Sequence, residues 1–393
     1  MLTTDHIATV KSTIPLLESG GPAITDHFYQ RMFLHNPELK DIFNLSNQKS
    51  GSQKTALFEA IVAYAKNIDN IAVLKHAVER IAQKHTSFHI QPEHYQIVGL
   101  HLIETFRELL PEQFTEQVES AWAAAYGVLA NVFINREEQL YSERENSHGG
   151  WRGKRAFCLV DKKAESALVT SFTFEPVDQQ PIIHYQVGQY IGIELTPTNS
   201  EHIEIRQYSL SNLPNSKSYR ISVKREQGEH NGLMSNHLHD HLQVGDLVDL
   251  HAPAGDFFFV NRQAPVALIS AGVGITPMQA MLEQLADENY NNDVYYLHAC
   301  ENAAQHSFAQ RTHELCNKMN WHQSTWYKEE QSDKANIYHG IINFSDVQLP
   351  LTTGNFYLCG PIGFMKFAKE ALLQLGVCET RIHYEVFGPH ASL

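Results

Sequence analysis

The chain has 393 residues, 43% of them hydrophobic, which predicts two or three domains rather than one core. Acidic residues outnumber basic ones by 44 to 30, a formal charge of −14 that argues against a nucleic-acid or anionic-membrane partner. Five scattered cysteines without a C-x-x-C pair read as reduced thiols, and neither a signal peptide nor a membrane-spanning apolar run is visible, so a monomeric cytoplasmic protein is expected.

Residues 1–141 read as an all-α domain. A first helix carries Ile7, Val10, Ile14 and Leu17, and a second, entered after Gly20-Gly21-Pro22, carries Ile24, Phe28 and Met32 and stops near Asn36-Pro37. Further stripes follow at Leu57, Ile61 and Ala65, then at Val78, Ile81, His85 and Phe88. Two more run through Tyr95, Val98, Leu102 and Phe106, and through Leu129, Phe133, Glu137 and Leu140. His85 and His89 stand four apart, the spacing of two metal ligands on one helix face. A zinc-hydrolase helix needs a Glu after the first histidine, and Thr86 is there instead. His85 lies within the apolar stripe, where a satisfied core histidine is the commoner outcome, and His89 falls at the helix end before Pro92. An inward histidine late in a helical domain of this size is also the layout of a haem pocket. Glu137, on an inward stripe, is costly unless hydrogen-bonded. It would orient His85 by accepting its outer N–H, with Tyr95 adjoining, or else be a solvated helix end.

Ser142–Gly150 is polar and reads as a linker. Residues 151–261 then alternate in short segments such as Tyr190–Leu195 and Tyr219–Glu226, which predicts a small antiparallel β-barrel. In Glu204–Ser211, alternation puts Arg206 and Tyr208 on one face and Ser209 on the other. Arginine suits a pyrophosphate and tyrosine a flavin ring, although four such residues alone also fit an ordinary strand.

Residues 262–393 read as a parallel α/β domain. Ser270–Pro277 passes from strand through a glycine turn into a helix, and Cys359–Phe364 repeats the pattern. One such turn is weak evidence, but two along one sheet edge make a place for a dinucleotide. After the second strand the nearest charged residue is Glu301, with no Arg or Lys before Arg311, which favours NADH over NADPH.

The order of these parts resembles the ferredoxin–NADP reductase superfamily, and the whole chain resembles the flavohaemoglobins. The resemblance rests on Asn36–Asn44, Ala82–Phe88, Phe28–Phe33, Gly51–Leu57 and Tyr126–Tyr141, on the R-x-Y-S run at Arg206 and on the closing His383–His390. It implies haem b with His85 as iron ligand, Phe43 and Leu57 against the haem, Tyr29 and Gln53 as distal catalytic residues, and Tyr95 and Glu137 behind the histidine. It implies FAD contacts from Tyr190, Arg206, Gln207, Tyr208 and Ser209. It places the dinucleotide on Gly272, Val273, Gly274, Ile275, Thr276, Pro277, Cys359, Gly360 and Pro361. The tail Glu385, Val386, Phe387, Gly388 and Pro389 closes over the flavin, with Phe387 on its ring and Glu385 near the hydride path. The implied activity is a nitric oxide dioxygenase fed by NAD(P)H through FAD. The competing readings are a reductase acting on peroxides or ferric chelates, and a globin that stores or senses O2 or NO. From adjacency to His85, Lys84 is expected near the haem edge.

Overall fold

The computed structural model describes residues 2–43, 52–198, 200–228 and 231–388. The chain divides into two compact units. One comprises Met1–Ser147, with Trp151–Gly153 and Ser200–Ile205, and the other holds the rest.

The first unit is helical: α1 (Thr4–Ser12), α2 (Ile14–Gly20), α3 (Pro22–His35), α4 (Ser52–Lys66), α5 (Lys75–Thr86), α6 (Pro92–Leu109) and α7 (Glu116–Glu145). The stripe expected as one first helix is two. The Thr13 hydroxyl donates to the Val10 carbonyl at 2.7 Å. Pro15 then restarts the chain within the first turn of α2, because proline cannot continue a helix from the preceding turn. The helix α3 packs on α4 and α6, and α7 lies against α1, α5 and α6. Phe28, Met32, Phe106 and Trp122 fill the space among them. The Trp122 indole N–H reaches Thr13 Oγ1 at 3.2 Å, so the one polar atom of that ring is not stranded.

The helix α7 continues to Glu145, so residues 142–145 of the expected linker are its last turn. Residues Trp151–Gly153 also stay with the helices, because Arg152 bonds Glu138 Oε1 at 2.8 Å and lies 4.8 Å over the Tyr141 ring.

The second unit begins with β1 (Lys154–Ala164), β2 (Val169–Pro176), β3 (Tyr190–Leu195), β4 (Glu204–Ser209), β5 (Tyr219–Lys224) and β6 (Leu247–His251), with α8 (Leu233–Asp240) before the last strand. The sheet order is β4-β3-β6-β1-β2-β5. Its two edges meet where Leu210 bridges Ile221 and the Ser211 N–H donates to the Arg220 carbonyl at 2.9 Å, which curls the sheet into the expected barrel.

Six parallel strands follow: β7 (Val266–Ala271), β8 (Val294–Cys300), β9 (His322–Tyr327), β10 (Ile337–His339), β11 (Asn355–Cys359) and β12 (Ile382–Glu385), ordered β10-β9-β8-β7-β11-β12. The helices α9 (Ile275–Asp287), α10 (Ala309–Met319) and α11 (Ile362–Gln374) connect them. The chain leaves β7 on one side and returns as β11 on the other. The carboxyl ends of β7 and β11 therefore form the crevice where open α/β sheets bind ligands. Among the described residues no helix is long and apolar enough to cross a membrane.

Two buried histidines meet at this sheet, His298 on β8 and His306 in the connection that follows it. His298 bonds Ser270 Oγ at 2.9 Å, His306 bonds the Tyr327 hydroxyl at 3.0 Å, and their rings are 4.8 Å apart. Burial drives the basicity of both down, that of His298 well below the usual range and that of His306 to about 4. The unfolded chain therefore takes up protons first as pH falls, so this contribution is complete above about pH 6.5 and is lost toward pH 4. His306 alone should cost roughly 3 kcal/mol of stability across that window. Urea midpoints measured from pH 7.5 to 4 should fall, and His306→Asn should flatten the slope.

Candidate functional site

His85 is the penultimate residue of α5, and its Nδ1 lies 2.8 Å from Glu137 Oε1 on α7 and 2.9 Å from the Tyr95 hydroxyl on α6. The Tyr95 hydroxyl donates to the same carboxylate oxygen at 2.5 Å. Glu137 is 2% exposed, so its charge is stabilised by these donors rather than by water. Burial first, then the Glu137 charge, lifts the Tyr95 phenol far above its usual range, which keeps it protonated and donating. A carboxylate oxygen beside Nδ1 selects the tautomer with hydrogen on Nδ1, leaving the Nε2 lone pair as the ligating face. One third of the His85 side chain is exposed, 33%, so that face is open.

The helix is shorter than its apolar stripe suggests. It ends at Thr86, and the N–H groups of Phe88 and Ile90 both fold back onto the His85 carbonyl, at 3.0 and 3.2 Å. His89 adopts φ 55° in this turn and faces the Tyr141 ring at 5.7 Å, away from the helix face that carries His85.

Several supporting residues were not legible in the sequence. The Tyr126 hydroxyl bonds the Tyr95 carbonyl at 2.5 Å, and its ring runs so close to Gly99 that a Cβ there would be 2.4 Å from it. Phe133 stacks on Tyr95 at 6.2 Å and lies 5.8 Å from His85. Arg144, expected in a linker, donates to Thr86 Oγ1 and, at 2.5 Å, to Gln83 Oε1, and so ties the end of α5 to α7. Tyr126 and Phe133 have the spacing of ordinary core residues, and nothing local marks Arg144.

On the other side of the helical core, Tyr29 is buried on α3, with its ring 6.0 Å from Phe43. Leu57 on α4 packs into the same cluster. The Thr25 hydroxyl donates to the Lys54 carbonyl at 2.8 Å, which pins the first turn of α4, where Gln53 stands, to α3. Gln53 Oε1 is buried and has no hydrogen-bond partner among the described residues. A buried amide oxygen without a partner is unusual and marks a place where a ligand or water completes the bonding.

In the second unit, Tyr190 opens β3, paired with Ala254, and a Cβ at Gly255 would be 3.0 Å from its ring. The Leu210 N–H donates to the Gln189 carbonyl at 3.0 Å, which holds the end of β4 beside Tyr190. Arg206, Gln207 and Tyr208 are all half-buried and Ser209 is buried.

The two glycine turns meet. In the parallel register Ser270 lies opposite Cys359, and a Cβ on Gly274 would be 2.2 Å from the Cys359 carbonyl oxygen. Gly274 thus serves chain-to-chain contact. Gly272, at φ +53° with open space around it, is exposed, and Val273 beside it is half-buried. Ile275, Thr276 and Pro277 are buried, and the Thr276 hydroxyl is spent on the Val273 carbonyl at 3.0 Å. Cys359 and Gly360 are also buried and Pro361 is exposed. Burial, and next the charge of Glu385 opposite it, pushes the Cys359 thiol well up. Val386 is buried and Phe387 exposed, Gly388 has φ 128°, and Pro389 lies outside the described residues. Glu301 has a cation after all: Lys328, from the end of the adjacent β9, stands 3.2 Å from its Oε2. The sequence argument for NADH over NADPH rested on linear neighbours, which do not include Lys328.

A globin-like helical unit with a carboxylate-backed histidine, in one chain with a flavin- and pyridine-nucleotide-type oxidoreductase unit, defines a globin carrying its own reductase. Residues 26–133 match the globin family, 156–259 the oxidoreductase FAD-binding domain and 268–370 the oxidoreductase NAD-binding domain. The chain is 59% identical over 395 residues to the flavohemoprotein of Vibrio cholerae serotype O1, across the full length of both. Among solved structures it is similar to a flavohemoglobin from Malassezia yamatoensis with bound FAD and heme (28% identity, 98% of this chain and 100% of that one, TM-score 0.87). It is also similar to the FAD/NAD-binding domain of a nitric oxide dioxygenase from Vibrio cholerae O1 biovar El Tor (52% identity, 61% of this chain and 100% of that one, TM-score 0.58). The chain belongs to the flavohemoprotein family.

Three outcomes test the geometry. Tyr95→Phe removes one of the two donors to a buried carboxylate and should lower the stability of the helical unit by about 2 kcal/mol, read by urea unfolding. Gly274→Ala places a methyl against backbone that cannot yield and should cost about 3 kcal/mol. Gly272→Ala meets only left-handed strain and should cost about 1 kcal/mol.

Proposed function

We propose that this protein is a nitric oxide dioxygenase of the cytoplasm, joining NO and O2 into nitrate with electrons drawn from NAD(P)H. The observation that carries the reading is His85: its Nδ1 is held by Glu137 and Tyr95 while its Nε2 side stays open. These residues fit a haem, and Gln53 Oε1 supplies an unsatisfied polar atom on the distal side. When bound, haem supplies the iron at which the gases react, and FAD turns a two-electron donor into single electrons.

The protein's own part is orientation and electrostatics. Glu137 draws on the Nδ1 hydrogen and makes Nε2 a stronger donor, and Tyr95 keeps that carboxylate in place. Tyr29 and Gln53 turn a hydroxyl and an amide toward a diatomic substrate, and Phe43 and Leu57 keep water from competing for them. In the second unit, Arg206 takes the FAD pyrophosphate, Tyr190 and Tyr208 hold the ring, and Ser209 bonds it. The exposed turn Gly272–Val273 and Pro361 receive the dinucleotide, with Phe387 and Glu385 at its nicotinamide end.

The purified protein should show a Soret band and flavin absorption under argon, and NADH should reduce both. In air it should then consume NO and form nitrate, one electron per nitrate. Tyr29→Phe should lower NO turnover about 100-fold at unchanged flavin reduction. Reduction followed by hydroperoxide turnover, with no nitrate from NO, would overturn the assignment.

A further inference from the structure

A buried polar chain in the reductase unit has no part in the sites above. Glu283, on the third turn of α9, has a side chain 12% exposed. Its Oε2 accepts the backbone N–H of Leu213 at 3.0 Å, and its Oε1 accepts the Gln279 amide at 3.0 Å. Gln279 Oε1 in turn accepts the Thr312 hydroxyl of α10 at 3.0 Å, with Gln279 and Thr312 fully buried. Arg220 and Arg311 each stand 3.8 Å from Glu283 Oε1 and offset its charge.

The segment that Glu283 grips leaves β4 just after Ser209. It is held from its other side as well, since Asn212 Oδ1 accepts the Arg220 N–H at 3.1 Å and the Tyr185 hydroxyl at 3.0 Å. The helix that carries Glu283 opens on the Gly272–Gly274 turn. One carboxylate thus bonds the exit of one strand to the body of one helix. The same junction carries other hydrogen bonds: the Ala167 N–H donates to the Ala304 carbonyl at 2.8 Å, the Ser307 hydroxyl to Ser166 Oγ at 3.0 Å and the Val260 N–H to the Tyr357 hydroxyl at 3.2 Å, with the Tyr357 ring 6.0 Å from Phe257 and 5.8 Å from Phe259. Among these, the Glu283 bond is the one that joins the segment leaving β4 to the helix α9, and a largely buried hydrogen-bonded network of this kind sets a register between the two.

We propose that Glu283 is a positioning residue for hydride transfer, fixing the distance between the flavin-bearing strand β4 and the helix α9 that opens on the dinucleotide turn. The proposal rests on the assignment of flavin and dinucleotide to those two elements. The reaction it serves is NADH + FAD + H+ → NAD+ + FADH2, whose rate depends steeply on the approach of the two rings.

The test uses the full-length holoprotein under argon. Flavin bleaching is followed by stopped flow over a series of NADH concentrations, with NADH and its 4-deuterated form, alongside amide hydrogen exchange of the 210–216 segment. Glu283→Ala should slow the limiting rate about tenfold or more, with the apparent NADH dissociation constant within about twofold and FAD content unchanged. Exchange at 210–216 should accelerate and the deuterium effect should grow. Glu283→Gln, which still accepts the Leu213 N–H, should restore most of the rate. Bleaching at the wild-type rate in Glu283→Ala with faster exchange would overturn the positioning role, and unchanged exchange would overturn the bond itself. Should Glu283→Ala not retain FAD, Glu283→Asp keeps the charge beside both arginines with a shorter reach, and a wild-type limiting rate there overturns the proposal equally. Failure of NADH to bleach the wild-type flavin would instead overturn the site assignment.

Discussion

A carboxylate cannot be buried without partners, and the helical unit is arranged around that constraint at Glu137. Leaving an ionised group unpaired in the interior costs several kcal/mol, so three helices have to meet where donors converge on it. His85 comes from the last turn of α5, Tyr95 from the first turn of α6, and Glu137 from late in the long α7. Everything nearby follows from keeping that meeting point. Tyr126 ties the Tyr95 backbone to α7 and needs Gly99 to lie flat. The turn after Thr86 closes on the His85 carbonyl, and Arg144 fastens the same helix end from outside. The functional consequence is a histidine whose tautomer is set by the fold before any ligand arrives.

The reductase unit meets a different constraint, the approach of two backbone turns. The neighbouring parallel strands β7 and β11 are each followed directly by a glycine, Gly272 and Gly360. The closest contact of the crevice is Gly274 against Cys359, which leaves no room for a side chain. Beside that contact Gly272 is exposed, in the left-handed conformation and with open space around it, at the start of a helix, a place that suits a phosphate. The same glycine pattern thus serves two ends: one residue is small for packing, the other for conformation.

Periodicity carried most of the architecture. Helical stripes, alternating strands and strand–glycine–helix turns are local patterns, and they placed the helical region, the barrel and the α/β sheet in the right order. His85, Tyr95 and Glu137 were each legible as misfits, polar groups on apolar stripes, and misfits point to partners. What the sequence left unseen was long-range. Lys328 is distant from Glu301 in the chain but adjacent across β8 and β9, and no linear window sees it. Arg144 looks like one charge in a polar stretch until α7 is known to run to Glu145. The break between α1 and α2 was local and readable, since Pro15 cannot sit inside a continuous helix, but the stripe through Ile14 and Leu17 hid it.

Apolar burial stabilises each unit, yet it specifies relative placement only loosely, because many packings bury similar area. The residues that remove that freedom are the buried polar ones. Glu137 with His85 and Tyr95, Glu283 with Gln279 and Leu213, and His298 with Ser270 each cross-link elements distant in sequence. Each costs desolvation and returns a fixed geometry. Electron transfer and ligand activation depend on distances more than on overall stability. That is a physical reason for a chain of this kind to keep charged and polar groups where hydrophobic ones would give a more stable core.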